Sequence, residues 1–174
     1  MNIEKVIASI RNVPDFPKPG ILFKDITTAM KDPEVLRFIV DELYEYYKDK
    51  GITKVVGVES RGFVLGSILA YKLGAGFVLL RKPGKLPADT YRLAYDLEYG
   101  QDALEIHKDS IDPGDVVLLH DDLLATGGSA GAALKLLANF DMKAVYVSFL
   151  IELEFLKGKE KLENATDIHS MIKF

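Results

Sequence analysis

Short apolar runs separated by helical stretches leave this chain few folds to choose from. Lys54-Val55-Val56-Gly57-Val58 precedes a helical stretch over 62–73, and Gly76-Phe77-Val78-Leu79-Leu80 follows it. Asp115-Val116-Val117-Leu118-Leu119 precedes a second helical stretch over 129–139, and 144–151 is a further apolar run. Runs this short, without polar alternation, read as strands buried on both faces, and the helices between them supply the crossovers that parallel pairing needs. The expectation is an α/β fold with a central, mostly parallel sheet flanked by helices. A chain of 174 residues can bury its own core, so 1–174 is read as one domain.

The flanking segments are less regular. Residues 1–11 read as a short amphipathic helix with Ile3, Ile7 and Ile10 on one side. Pro14, Pro17, Pro19 and Gly20 are expected to exclude regular structure up to Ile21. Asp32 suits an N-cap and Pro33 the first helical position. Val35, Leu36, Ile39, Leu43 and Tyr46-Tyr47 then recur at helical spacing as far as Gly51. Residues 91–107 break the strand–helix rhythm and read as an extended hairpin or mobile loop with little core character.

Composition narrows the function. A net charge of −4 argues against general nucleic-acid binding, which needs a basic face. It leaves room for an anionic small substrate held by a local cation cluster. No apolar run approaches the ~18 residues that would span a bilayer, and the start Met1-Asn2-Ile3-Glu4-Lys5 is unlike a signal peptide. With no cysteine there are no disulfides and no thiolate metal sites, and a reducing cytoplasm is the natural setting. His107, His120 and His169 lack chelating spacing.

The strongest chemical signal is the string from Val117-Leu118-Leu119-His120 through Asp121-Asp122-Leu123-Leu124-Ala125 to Thr126-Gly127-Gly128-Ser129. A buried strand runs into two carboxylates, then a small-residue turn, then a helix. Glycines in such a turn let several backbone N–H groups converge on one anion, and the helix N-terminus adds favourable potential. No Gly-Lys-Ser/Thr follows, so this is not a Walker loop. Carboxylates repel phosphate but accept hydrogen bonds from vicinal hydroxyls. A phosphate cradle beside two acids therefore suggests a sugar phosphate. Downstream of the 76–80 run, Arg81, Lys82, Lys85 and Arg92 face one acid, Asp89, within twelve residues.

Residues 121–129 resemble the phosphoribosyl pyrophosphate signature of the type I phosphoribosyltransferases, in the branch that uses adenine. Further segments match that branch in its order: 16–27, Glu59-Ser60-Arg61-Gly62-Phe63, 81–87, Leu97-Glu98-Tyr99-Gly100 and 156–162. The resemblance implies the type I phosphoribosyltransferase fold, with a small hood from about 1–30 and the C-terminal segment, and a mobile hairpin lid over about 91–107. It implies purine salvage: transfer of the 5-phosphoribosyl group from phosphoribosyl pyrophosphate to adenine, giving AMP and pyrophosphate. It also implies a cytoplasmic homodimer with residues 81–85 near its interface, and Mg²⁺ that arrives with the substrate rather than in an all-protein metal site.

The same resemblance assigns residues. Asp121 and Asp122 take the ribose hydroxyls, and Ala125, Thr126, Gly127, Gly128 and Ser129 the 5′-phosphate. Arg61, Arg81, Lys82 and Lys85 face pyrophosphate, with a cis peptide between Glu59 and Ser60. Tyr99 donates to pyrophosphate, and Glu98 is the general acid or base on the purine. Ile21-Leu22-Phe23-Lys24 has no side chain suited to a purine edge, but a backbone C=O and N–H there favour adenine over hypoxanthine, whose groups are reversed. The resemblance puts the Leu22 and Lys24 backbone at that edge, with Phe23 and Leu123 packed on the ring.

Three positions depart from the family pattern. Lys24 stands where Arg is common, Ser129 replaces Thr, and His120 replaces an aliphatic residue. Strand alternation points His120 away from Asp121, toward the core or a helix. Two rivals remain: a sister enzyme for another base, which the backbone-only base segment disfavours, and a phosphoribosyl-pyrophosphate-sensing regulator. The segment before the first motif is too short for the DNA-binding domain such a regulator carries.

Overall fold

The computed structural model describes residues 1–96 and 101–174. They divide into two compact units, 1–46 and 47–174.

In the first unit α1 (Ile3–Ser9) is capped by Asn2, whose side chain accepts from the Lys5 amide at 3.1 Å. The helix is shorter than the reading over 1–11. Its backbone turns extended at Ile10, and β1 (Arg11–Pro14) pairs antiparallel with β2 (Leu22–Asp25). As expected, residues 15–21 carry no helix or strand, and of the four residues Pro14, Pro17, Pro19 and Gly20 only Pro14 lies in a strand. A two-stranded ribbon tolerates a proline where the missing N–H costs no ladder bond. Arg11 closes on Asp25 at 2.5 Å and holds that carboxyl down at about 2. After α2 (Thr27–Met30), α3 (Pro33–Tyr47) starts as expected, with Asp32 Oδ1 accepting from the Glu34 and Val35 amides at 2.9 and 3.2 Å. Val35, Ile39, Leu43 and Tyr47 recur every four residues and are buried.

The second unit holds the sheet. Its strands are β3 (Lys54–Val58), β4 (Gly76–Leu80), β7 (Val116–Leu124), β8 (Ala144–Glu152) and β9 (Asp167–Lys173), all parallel, in the order β4-β3-β7-β8-β9. The register sorts the side chains into two faces. Val56, Val78, Leu119 and Val147 lie in one row and share a core with α5 (Gly128–Leu137). Gly57, one residue on, turns to the other face, where α4 (Gly62–Leu73) packs. A Cβ on Gly57 would sit 2.7 Å from the Phe77 ring and 3.0 Å from that of Phe63. Helices thus cover opposite faces, which is why the strands are apolar throughout.

Two expectations change. Residues 167–173 form the fifth strand of this sheet, where the sequence suggested no strand; Ile168, Ser170 and Ile172 are too mixed to announce one until β8 supplies a partner. The 91–107 region is a hairpin of β5 (Thr90–Asp96) and β6 (Gln101–His107), but it is not poor in core. Leu104 and Ile106 are fully buried on one side of β6, in the cluster that includes α5. Backbone bonds between Arg81 and Glu105, at 2.9 and 2.7 Å, tie β6 to the end of β4.

Candidate active site

The acid pair sits inside a strand, not in the turn that follows it. β7 continues through Asp121 and Asp122 to Leu124, and the two carboxylates lie close enough to interact with each other at one cavity. Asp122 is 2% exposed, and its Oδ2 lies 3.2 Å from Arg61 Nε. Asp121 accepts the Asp122 amide at 2.9 Å and lies under the first turn of α4. A Cβ at Gly62 would come within 2.7 Å of the His120 carbonyl and 3.1 Å of Asp121 Oδ1, so only glycine lets α4 approach this closely. Burial pushes Asp121 well above the usual carboxylate range, and the neighbouring Asp122 charge adds to it; burial raises Asp122 as well, against the pull of Arg61. Two acids with one guanidinium between them need further donors, and ribose hydroxyls are such donors.

After Leu124 the chain turns into α5 through Ala125, Thr126 and Gly127. Gly127 has φ +77 and its carbonyl accepts from the Gly131 amide at 2.8 Å, which opens the helix. The first amides of α5 have no partner within the helix and point into the turn, where the helix dipole favours an anion. Ser129 stands at this helix start with its hydroxyl 3.2 Å from that of Tyr95.

The expected cations gather nearby, each held by a carboxylate. Glu59 Oε2 accepts from the Lys82 amide at 2.7 Å and from Arg81 Nε at 3.3 Å, and Glu59 Oε1 pairs with Lys85. The Glu59–Ser60 peptide is cis. Lys82 Nζ pairs with Asp102, which also accepts from the Tyr95 hydroxyl at 3.3 Å. Burial alone would lower Lys82, but Asp102 and Tyr95 raise it, so it stays charged. Burial likewise pulls Glu59 upward, yet Lys85, the Lys82 amide and Arg81 bring it down to about 2.

That depression has a stability consequence of definite sign. A carboxyl whose folded pKa lies below its unfolded value stabilises the fold above the unfolded value, and the contribution is lost as pH falls toward the folded one. Glu59→Gln is therefore expected to melt below wild type at neutral pH. The gap closes as pH drops from about 4.5 toward 2, the two ends of the Glu59 shift. Melting temperatures of both proteins across that window check it, and a gap independent of pH would contradict the assignment.

A cavity of about 240 Å³ joins these groups. Residues 121–130 form one wall and residues 58–61 with Lys82 the other, so Arg61, Asp121, Asp122, Leu123, Ala125, Thr126, Gly127, Gly128 and Ser129 all converge. Arg81 and Lys85 are outside the lining, bound to Glu59 behind it. Leu22, Phe23 and Lys24 lie on β2 in the first unit. There Leu22 is half exposed, Phe23 meets Phe16 edge to face at 5.1 Å, and Lys24 Nζ donates to Asn12 Oδ1 at 2.8 Å. Glu98 and Tyr99, with the rest of 97–100, lie outside the described residues. His120 is fully buried on the α4 face, as its strand position suggested, with Nδ1 3.1 Å from Ser148 Oγ and its pKa lowered to about 4 by burial.

Sequence reasoning missed Glu59 as the anchor of three cationic residues, and it missed Tyr95, Asp102 and Gly158. The first three contacts join residues far apart in the chain, with no local signal. Gly158 lay in a quoted motif without a role. A larger open groove of about 820 Å³ runs along α5, lined by Lys135, Lys143 and Glu160 among others. It gathers no buried acid pair, so chemistry rather than volume selects the smaller cavity. Among the described residues no three His, Asp or Glu side chains are grouped to hold a metal ion.

Comparison with known proteins agrees with this chemistry. The model of the phosphoribosyl transferase domain family matches residues 25–172. An adenine phosphoribosyltransferase from Bacteroides fragilis is 61% identical over 168 residues, covering 97% of this chain and 94% of its own. The crystal structure of adenine phosphoribosyltransferase from Thermoanaerobacter pseudethanolicus superposes with a TM-score of 0.95 at 46% identity, covering 99% of this chain and 100% of its own. The Giardia lamblia APRTase complexed with 9-deazaadenine also reaches a TM-score of 0.95 at 46% identity, over 100% and 98% of the two chains.

Proposed function

Because the chain belongs to the phosphoribosyl transferase family, and within it to the adenine phosphoribosyltransferases, we infer how its residues divide the work of moving a 5-phosphoribosyl group from phosphoribosyl pyrophosphate to adenine. The products are AMP and pyrophosphate, and the role is purine salvage. The observation that carries the reading is the single cavity that joins an acid pair, an amide-rich turn and flanking cations.

The 5′-phosphate binds the amides of 126–129 and the hydroxyls of Thr126 and Ser129. Asp121 and Asp122 accept from the two ribose hydroxyls. Pyrophosphate draws Arg61, Lys82 and Lys85 from their carboxylate partners, while Arg81 stays as part of the Glu59 anchor. Mg²⁺ carried in with the substrate would neutralise pyrophosphate charge. The acid pair suits water-mediated contact with an ion carried in by the substrate. As the bond from the anomeric carbon to pyrophosphate loosens, positive charge grows on the sugar, and the purine nitrogen forms the new bond as it gives up its proton. Glu98 is the proposed proton partner and Tyr99 a donor to pyrophosphate.

For the base, Leu22 and Lys24 are two residues apart on β2, so their backbone groups point to the same edge of the strand. No third strand among the described residues covers that ribbon. A C=O and N–H on that edge read adenine, with Phe23 as an apolar contact. We extend the reading to a cytoplasmic homodimer. Val64 and Tyr71, on one face of α4, and Leu79, on the edge strand β4, are 45%, 88% and 39% exposed, an apolar face beside residues 81–85.

The test is pyrophosphate release with Mg²⁺ and each purine in turn. Adenine is expected to exceed hypoxanthine by about 10⁴-fold or more in kcat/KM, because the wrong base leaves buried polar groups unpaired. Faster turnover with hypoxanthine would reject the base assignment.

A further inference from the structure

The motif over 156–162 has no part in the chemistry above, yet its backbone touches the phosphate turn directly. A Cβ on Gly127 would lie 2.3 Å from the Gly158 carbonyl oxygen. A Cβ on Gly158 would lie 2.3 Å from the Ala125 carbonyl and 3.0 Å from the Gly127 amide nitrogen. Two backbones therefore meet with no side chain between them. Farther along, a Cβ on Gly131 would reach within 3.2 Å of the Lys161 carbonyl, so the contact continues under the first turn of α5.

A single 3-10 turn, Gly158–Lys161, has little stability of its own and needs anchors. One is Leu162, buried in the core beneath. The other is Lys159, whose ammonium lies 2.9 Å from Glu152 Oε2. Glu152 ends β8 in register with Leu124, the last residue of β7, and its side chain is only 6% exposed. The Leu153 amide donates to the Leu124 carbonyl at 2.9 Å. Glu152 is thus fixed by the sheet at the point where the phosphate turn departs.

We propose that the Glu152–Lys159 ion pair latches residues 157–162 into a backbone platform that sets the shape of the 126–129 turn, making both residues positioning residues for the 5′-phosphate. The proposal rests on the reading of that turn as the phosphate site. Neither side chain contacts substrate; each acts through the Gly158–Gly127 contact. Losing the latch lets the platform shift, and the turn amides lose their convergence on one point.

The test is calorimetric titration of the full chain with AMP, ribose 5-phosphate, pyrophosphate and adenine. Lys159→Ala and Glu152→Gln are expected to weaken AMP and ribose 5-phosphate about tenfold, the scale of a sub-ångström misplacement. Pyrophosphate and adenine keep their affinity, and Lys159→Arg restores most of the loss. Equal weakening of all four ligands, or a lowered melting temperature with unchanged AMP affinity, overturns the platform. Ser129→Ala separates the two readings. If it weakens AMP while Lys159→Ala does not, the platform alone fails; if it leaves AMP unchanged, the phosphate site fails with it.

Discussion

Asp121→Asn is expected to melt at a higher temperature than wild type while losing most of its turnover. Burial and the adjacent Asp122 push the Asp121 carboxyl well above its ordinary range. A folded pKa above the unfolded one stabilises the fold only below the unfolded value, and that benefit disappears as pH rises through the folded value. Above the unfolded value the buried acid is thus a burden on the fold. Asparagine keeps the oxygen that accepts the Asp122 amide and removes the charge. Relieving strained sites of this kind gains about 0.5–2 kcal/mol, and for a chain this size each kcal/mol raises Tm by roughly 2–4 °C. The gain should shrink as pH is lowered toward 3.8, the ordinary value. Function moves the other way. A ribose hydroxyl loses a carboxyl acceptor, and the group that could carry negative charge beside the cationic sugar as pyrophosphate leaves is gone, so kcat/KM should fall about 10²–10³-fold. Unchanged turnover would reject the ribose role, and a lower melting temperature would reject the account of burial.

Gly127→Ala is expected to damage stability and activity together. The position holds φ +77, where an L side chain costs about 1–2 kcal/mol. Its new methyl would meet the Gly158 carbonyl at 2.3 Å, and a backbone atom cannot rotate aside as a side-chain tip can. Overpacking of that sort costs about 1–3 kcal/mol more. Together these predict a fall in Tm on the order of 10 °C at roughly 2–4 °C per kcal/mol. The turn can relieve the clash only by moving away from Gly158, which carries its amides off the phosphate. KM for phosphoribosyl pyrophosphate should rise about 10²-fold, the scale of a 1 Å misplacement. Thermal melts and steady-state kinetics check both halves. An alanine variant with wild-type KM would mean that the amides of this turn do not hold the phosphate.

The architecture was legible because its signals are local. The runs at 54–58, 76–80 and 144–151 are too apolar to lie anywhere but inside a sheet, and the Asp32-Pro33 cap was readable from two residues. The departures arise where partners decide. Val116–Leu124 outruns its apolar stretch because β8 continues to pair with it past the acids. Leu104 and Ile106 lie in a stretch that reads as poor in core, and they are buried in the cluster that includes α5.

The residue types of the site, an acid pair, an amide-rich turn and scattered cations, were determined by the sequence alone, since a local string carries its own hydrogen-bonding chemistry. Only the tertiary structure decided how they are held. It pairs Glu59 with Arg81 and Lys85, Lys82 with Asp102 and Lys159 with Glu152, and presses Gly158 against Gly127. Apart from the Lys159–Glu152 pair, such contacts join residues separated by long stretches of chain, and the strength of all of them comes from burial and shape, which exist only after the strands have met.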